Sequence, residues 1–69
     1  MTEPALISRL KAVRTEAGLT QAELAERVGV TRKTINTVEN GVFIPSTVLA
    51  LKLARALSTP VEALFQLPD

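Results

Sequence analysis

Cysteine, histidine, tryptophan and tyrosine are all absent from this 69-residue sequence, and phenylalanine occurs only twice. Without cysteine no disulfide can staple the chain, and without cysteine or histidine a structural zinc site lacks its usual ligands. No metal-binding set is evident and no nucleophile stands beside a base, so neither an enzyme nor a cofactor-binding protein is expected. No apolar run approaches the length of a membrane span, and the N-terminus has no signal-peptide core. The expectation is a soluble, cytoplasmic protein with no membrane partner. An excess of charge is missing too. Eight Lys and Arg against seven Asp and Glu leave a net +1, which argues against a generic polybasic nucleic-acid binder. Any nucleic-acid binding would need a localised patch, helped by helix N-termini whose free amides favour phosphate.

What the sequence has is aliphatic side chains, within a hydrophobic fraction of 46%, arranged at helical intervals. Residues 1–69 are expected to make one small domain, held by helix packing with pairing of copies as a further support. Five helices are expected, over about 4–17, 21–28, 31–40, 47–57 and 60–66, giving an all-α fold with no strand, repeat or internal linker. In the first, Pro4 suits the N1 position and Leu6, Leu10, Val13 and Ala17 form an apolar stripe. Gly18 stops it, and Leu19 folds back into the core. In the fourth, capped by Ser46, the residues Leu49, Ala50, Leu53, Ala54 and Leu57 share one arc, with Val48, Leu51 and Arg55 opposite. Thr59-Pro60-Val61-Glu62 reads as a capping box opening the fifth, which would turn Val61, Leu64 and Phe65 inward.

The densest information lies in QAELAERVGVTRKTINTVENG, residues 21–41. Thr20 and Glu23 form a capping box at its start, Gly29 supplies the positive φ that ends the second helix, and Thr31 caps the third. Leu24, Ala25, Val28, Val30, Ile35 and Val38 are its core positions. Arg32, Lys33, Asn36, Thr37 and Asn40 occupy the other face of the third helix, and all of them can hydrogen-bond. Two helices joined by a tight glycine-containing turn are the helix-turn-helix signature.

From LKAVRTEAGLTQAELAERVGVTRKTINTVENG through PSTVLALKLARAL to VEALF, the chain resembles the Cro and phage-repressor type of helix-turn-helix domain, the Xre family. The likeness covers almost the whole chain. It implies a five-helix, lambda-repressor-like bundle that binds double-stranded operator DNA, usually as a homodimer, with the third helix in the major groove. Carried over residue by residue, it places Thr31, Arg32, Lys33 and Thr37 where base edges are contacted, with Asn36 beside them. Gln21 and Asn40 fall where phosphates are held, and Arg14 and Glu39 match a largely buried ion pair. Elementary chemistry agrees: Arg and Lys donate to guanine O6 and N7, Asn pairs with adenine N6 and N7, and a Thr methyl suits a thymine methyl. Three departures stand out. Val42 follows the ENG where a cation is common, Ile44 stands where another polar group is common, and Val48 replaces a common charge, so the electrostatic grip is expected to be modest.

The functional expectation is a sequence-specific transcriptional regulator, a repressor, binding a palindromic operator. Two alternatives remain beside it. One is an antitoxin or restriction-control protein, whose role a partner protein such as a toxin or the gene context defines. The other is a protein-interaction module on the same fold with little DNA binding. Val42, Ile44, Val48 and Leu51 also have two readings, partial burial under the loop (plausible for Phe43 and Ile44) or a self-association surface.

Overall fold

Five helices and one short antiparallel ribbon make up the computed structural model, which describes residues 6–68. In chain order these are β1 (Ile7–Ser8), α1 (Leu10–Glu16), α2 (Gln21–Val28), α3 (Arg32–Glu39), α4 (Thr47–Ala56), α5 (Val61–Leu64) and β2 (Phe65–Gln66). Among the described residues, no helix is long and apolar enough to cross a membrane.

The central helices begin and end for reasons written in their sequences. Thr20 accepts a hydrogen bond from the Glu23 amide at 3.0 Å while the Glu23 carboxylate accepts one from the Thr20 amide at 2.8 Å, so both sides of the capping box are made. That contact holds the Glu23 carboxyl below its ordinary range, first through the Thr20 amide and then through its hydroxyl. Gly29, at φ 77°, ends α2 and donates to the Ala25 carbonyl. Thr31 and Ser46 cap α3 and α4 by accepting from the amides of Thr34 and Leu49. Leu10, Leu24, Ile35, Val38, Leu53 and Leu64 are fully buried, one or more from each helix, and Ala25 and Val28 complete the contact of α2 with its neighbours.

Both ends of the described chain depart from expectation. The first helix does not extend over 4–17: Ile7–Ser8 is extended, and α1 starts at Leu10. Ile7 lies opposite Gln66 and Ser8 opposite Phe65, and the Arg9 amide donates to the Leu64 carbonyl at 2.7 Å. The absence of strands is thereby corrected as well. Leu6 packs against the core from the segment before α1, so an apolar residue at that position did not by itself signal a helix. The C-terminal segment supplies the partner edge that decides it. Ala17, placed on that stripe, is an exposed residue in the following turn. The expected role of Pro4 falls outside the described residues.

The fifth helix spans Val61–Leu64 rather than 60–66, because Phe65 turns to φ −135°, ψ 135° to enter β2. Its capping box does not form. Pro60 occupies the N-cap, with no side-chain cap bond, which moves Thr59 and Glu62 out of register with each other. The Thr59 hydroxyl is left buried without a partner. The third and fourth helices are each trimmed slightly, with Thr31 and Asn40 flanking α3 as caps and Leu57 following α4.

Candidate nucleic-acid interface

An ion pair between α1 and α3 sets the platform on which the α2–α3 unit sits. Arg14 donates from Nε to Glu39 Oε2 and from Nη2 to Glu39 Oε1 at 3.2 Å, and its Nη1 donates to the Leu19 carbonyl at 2.8 Å. The two side chains are 9% and 1% exposed. Hydrogen bonding to the Glu39 carboxylate raises the Arg14 pKa, outweighing the opposite effect of burial. Gln21 adds a connection the sequence did not announce: its Nε2 donates to Glu39 Oε1 at 3.0 Å. The Glu39 carboxylate thus ties α1 and the first turn of α2 to the last turn of α3, and Arg14 extends the link to the α1–α2 loop. No periodicity links residues 21 and 39, so sequence patterning had no signal for this contact.

The outward face of α3 carries Arg32, Lys33, Asn36 and Asn40, all exposed, with Thr37 partly buried. The hydrogen bonds within this face divide the candidates. Thr31 is committed to capping, accepting from the Thr34 amide at 3.2 Å and sharing a hydrogen bond with the Thr34 hydroxyl at 3.0 Å. The Thr37 hydroxyl donates to the Thr34 carbonyl at 3.0 Å. Asn40 Nδ2 donates to Asn36 Oδ1 at 2.6 Å. Arg32 and Lys33 make no side-chain hydrogen bond or ion pair among the described residues. Both lie in the first turn of α3, and Arg32 borders a shallow groove whose other wall includes Gly18, Thr20, Gln21 and Ala22. The first turn of α2 also faces that groove. Gln21 keeps one N–H of its amide beyond the bond to Glu39, so it retains a donor for an anion there.

The four apolar candidates are all solvent-facing: Val42, Ile44, Val48 and Leu51 are 77, 61, 62 and 57% exposed. Partial burial under the connector therefore does not hold for Ile44. Phe43 is 48% exposed and lines a groove with Val28, Val30 and Leu49, so it is half covered. Ile44 and Leu51 share a groove of about 290 Å³ with Leu6, Ala50, Val61 and Phe65. Val48 joins Leu51, Lys52 and Arg55 on the neighbouring surface of α4, whereas Val42 lines neither of these.

Residues 10–64 match the family model described as Helix-turn-helix. An HTH-type transcriptional regulator of Methanothermobacter thermautotrophicus, itself uncharacterized, is 54% identical over 57 residues, which are 81% of this chain and 83% of that protein. Among solved structures, the restriction-modification controller protein C.AhdI from Aeromonas hydrophila is similar at a TM-score of 0.74 and 41% identity, over 78% of this chain and 82% of the controller. The P22 c2 repressor, solved in complex with a synthetic operator, is similar at a TM-score of 0.75 and 30% identity, again over 78% of this chain and 82% of the repressor. With a match that spans most of its length and relatives this similar, the chain belongs to the helix-turn-helix family of transcriptional regulators.

Proposed function

We propose that this regulator binds double-stranded DNA sequence-specifically, with α3 in the major groove, and represses transcription from a palindromic operator as a homodimer. The observation that carries the reading is the first turn of α3, where Arg32 and Lys33 stand exposed and uncommitted, Arg32 beside the groove at the start of α2. Residues in that turn of a recognition helix reach deepest toward base edges. Arg32 and Lys33 supply donors for guanine O6 and N7, and Asn36 lies one turn further along the same face. Thr31 and Thr37 are left with their methyl groups as the parts free to meet a thymine. Gln21 and Asn40 hold phosphates and fix the register, a role that needs only the N–H each retains.

Selection of bound oligonucleotides from a random pool tests this directly. The expected product is a palindrome whose base preferences relax at separate positions in Arg32→Ala and Lys33→Ala. Affinity for the selected site should fall steeply as salt rises, through counterion release. Absence of enrichment would favour a protein-interaction module that keeps the fold without reading DNA.

A second reading is favoured by the similarity to a restriction-modification controller. The same DNA-reading surface would then serve as a restriction-control protein, or as an antitoxin whose toxin partner covers the apolar face of α4. Co-purification with the product of an adjacent gene distinguishes this role from that of a free-standing repressor.

A further inference from the structure

A second concentration of cations lies away from α3. Arg27, in the last turn of α2, and Lys52 and Arg55, on α4, are all exposed and line one shallow groove of about 510 Å³. Val28, Gly29 and Ala56 line it as well. Val28 is buried, and a Cβ placed on Gly29 would meet nothing within 4 Å, so this part of the groove is apolar and open. The helix dipole accounts for Arg27 and Arg55, each in a last turn, but not for Lys52, which precedes the last turn of α4. Glu26 is the only acidic residue on the groove, and among the described residues no ion pair joins it to any of the three cations. Like charges thus face solvent together in a chain whose net charge is only +1. This groove and the one beside Arg32 lie at opposite ends of α2 and share no residue.

We propose that this groove docks an acidic segment of a second protein, with carboxylates on Arg27, Lys52 and Arg55 and small apolar side chains against Val28, Gly29 and Ala56. The planar fork of each guanidinium matches a carboxylate with two parallel N–H groups. A polypeptide supplies carboxylates and apolar side chains at alternate positions. A DNA backbone supplies phosphates for the cations but no side chain for the apolar part. Exposed ion pairs hold a partner weakly one at a time, so the groove selects and steers its partner more than it supplies raw affinity. The site stands apart from the first turn of α3, so the partner and an operator can be bound together. The proposal does not depend on the DNA reading.

A short fluorescent peptide of alternating Glu and Ala, titrated into the full chain, tests it. Fluorescence anisotropy reads affinity, and amide NMR shifts of the isotope-labelled chain read location. Binding should saturate, with the largest shifts at residues 26–29 and 52–56. Lys52→Glu and Arg55→Glu should each weaken it by at least about tenfold, because reversal sets like charges against each other. Both side chains are exposed, and far-UV circular dichroism checks that the variants keep their helices. Arg32→Ala and Lys33→Ala should leave peptide affinity unchanged, and a peptide of alternating Glu and Gly should bind more weakly than its alanine counterpart. Shifts centred on the first turn of α3 would overturn the proposal, since the peptide would then be acting as a mimic of DNA. A random-sequence duplex that shifts the same amides and displaces the peptide would overturn it too, by making the groove part of a nucleic-acid surface. Equal affinity for the glycine peptide would reduce the groove to an unselective patch of charge, and absence of saturable binding would remove the site altogether.

Discussion

Glu39 accepts three hydrogen bonds, two from Arg14 and one from Gln21, on a side chain that is 1% exposed. Removing the carboxylate would strand a buried guanidinium, a change that costs about 3–5 kcal/mol. For a domain this small, Glu39→Ala is expected to lower Tm by more than about 10 °C. The double substitution Arg14→Met with Glu39→Leu, which removes both charges, should recover a large part of that loss. Thermal unfolding of the three proteins decides it, and an unchanged Tm for Glu39→Ala would show that the pair is not a brace. The ion-pair partners were legible by resemblance, but the Gln21 contact was not, because the side chains meet across 18 positions and two helices. The division of the α3 face into engaged and free groups was equally hidden. Thr31, Asn36 and Asn40 look alike as polar side chains, and their hydrogen bonds separate them only once the helix is built.

At the scale of elements, local signals worked where a side chain caps its own helix. Thr20, Thr31 and Ser46 each accept from the amide three residues on. The capping box of α2 gives this domain a defined response to acid. The folded-state pKa of Glu23 is depressed, so its contribution is complete above the ordinary glutamate value of about 4.3. It is lost as pH falls through the lower folded value. Glu23→Gln keeps an oxygen for the Thr20 amide but cannot titrate. Its stability at neutral pH should stay close to the parent's, and its decline in acid should be shallower. Urea unfolding from pH 7 down to pH 3 measures the difference, and superimposable curves would exclude Glu23 from the response. Local signals failed at Thr59, where the motif is present but Pro60 takes the cap position, and at β1, whose two residues are too few to show an alternation.

The whole molecule presents one face to DNA in the proposed mode and a separate apolar face on α4 and its preceding connector. On α4, Val48, Leu51, Lys52 and Arg55 recur at the spacing of one helix face, apolar at the N-terminal half and basic at the C-terminal half. Two copies packed with antiparallel α4 helices would lay Val48 on the aliphatic stems of the partner and send the cations to opposite ends. A parallel arrangement would stack like charges. A homodimer built this way has to place its recognition helices about 34 Å apart, one DNA turn. Leu51→Lys should therefore leave the fold intact, convert a micromolar dimer to monomer in analytical ultracentrifugation, and weaken binding to a palindrome by at least about 100-fold through lost avidity. Binding to an isolated half-site should change little. A parent that stays monomeric both free and on DNA would remove the dimer from the model.

The sequence by itself determined the helix-turn-helix unit. Its caps, its left-handed Gly29 and its buried Leu24, Ala25, Val28, Ile35 and Val38 are local or periodic properties, which a helix expresses wherever it is placed. Only the tertiary structure decided the pairing of Ile7–Ser8 with Phe65–Gln66, the link from Gln21 to Glu39, and the exposure of Ile44. Each depends on a partner brought from a distant part of the chain, or on the absence of one. A backbone amide, a buried carboxylate or an apolar side chain takes its role from what the fold sets beside it.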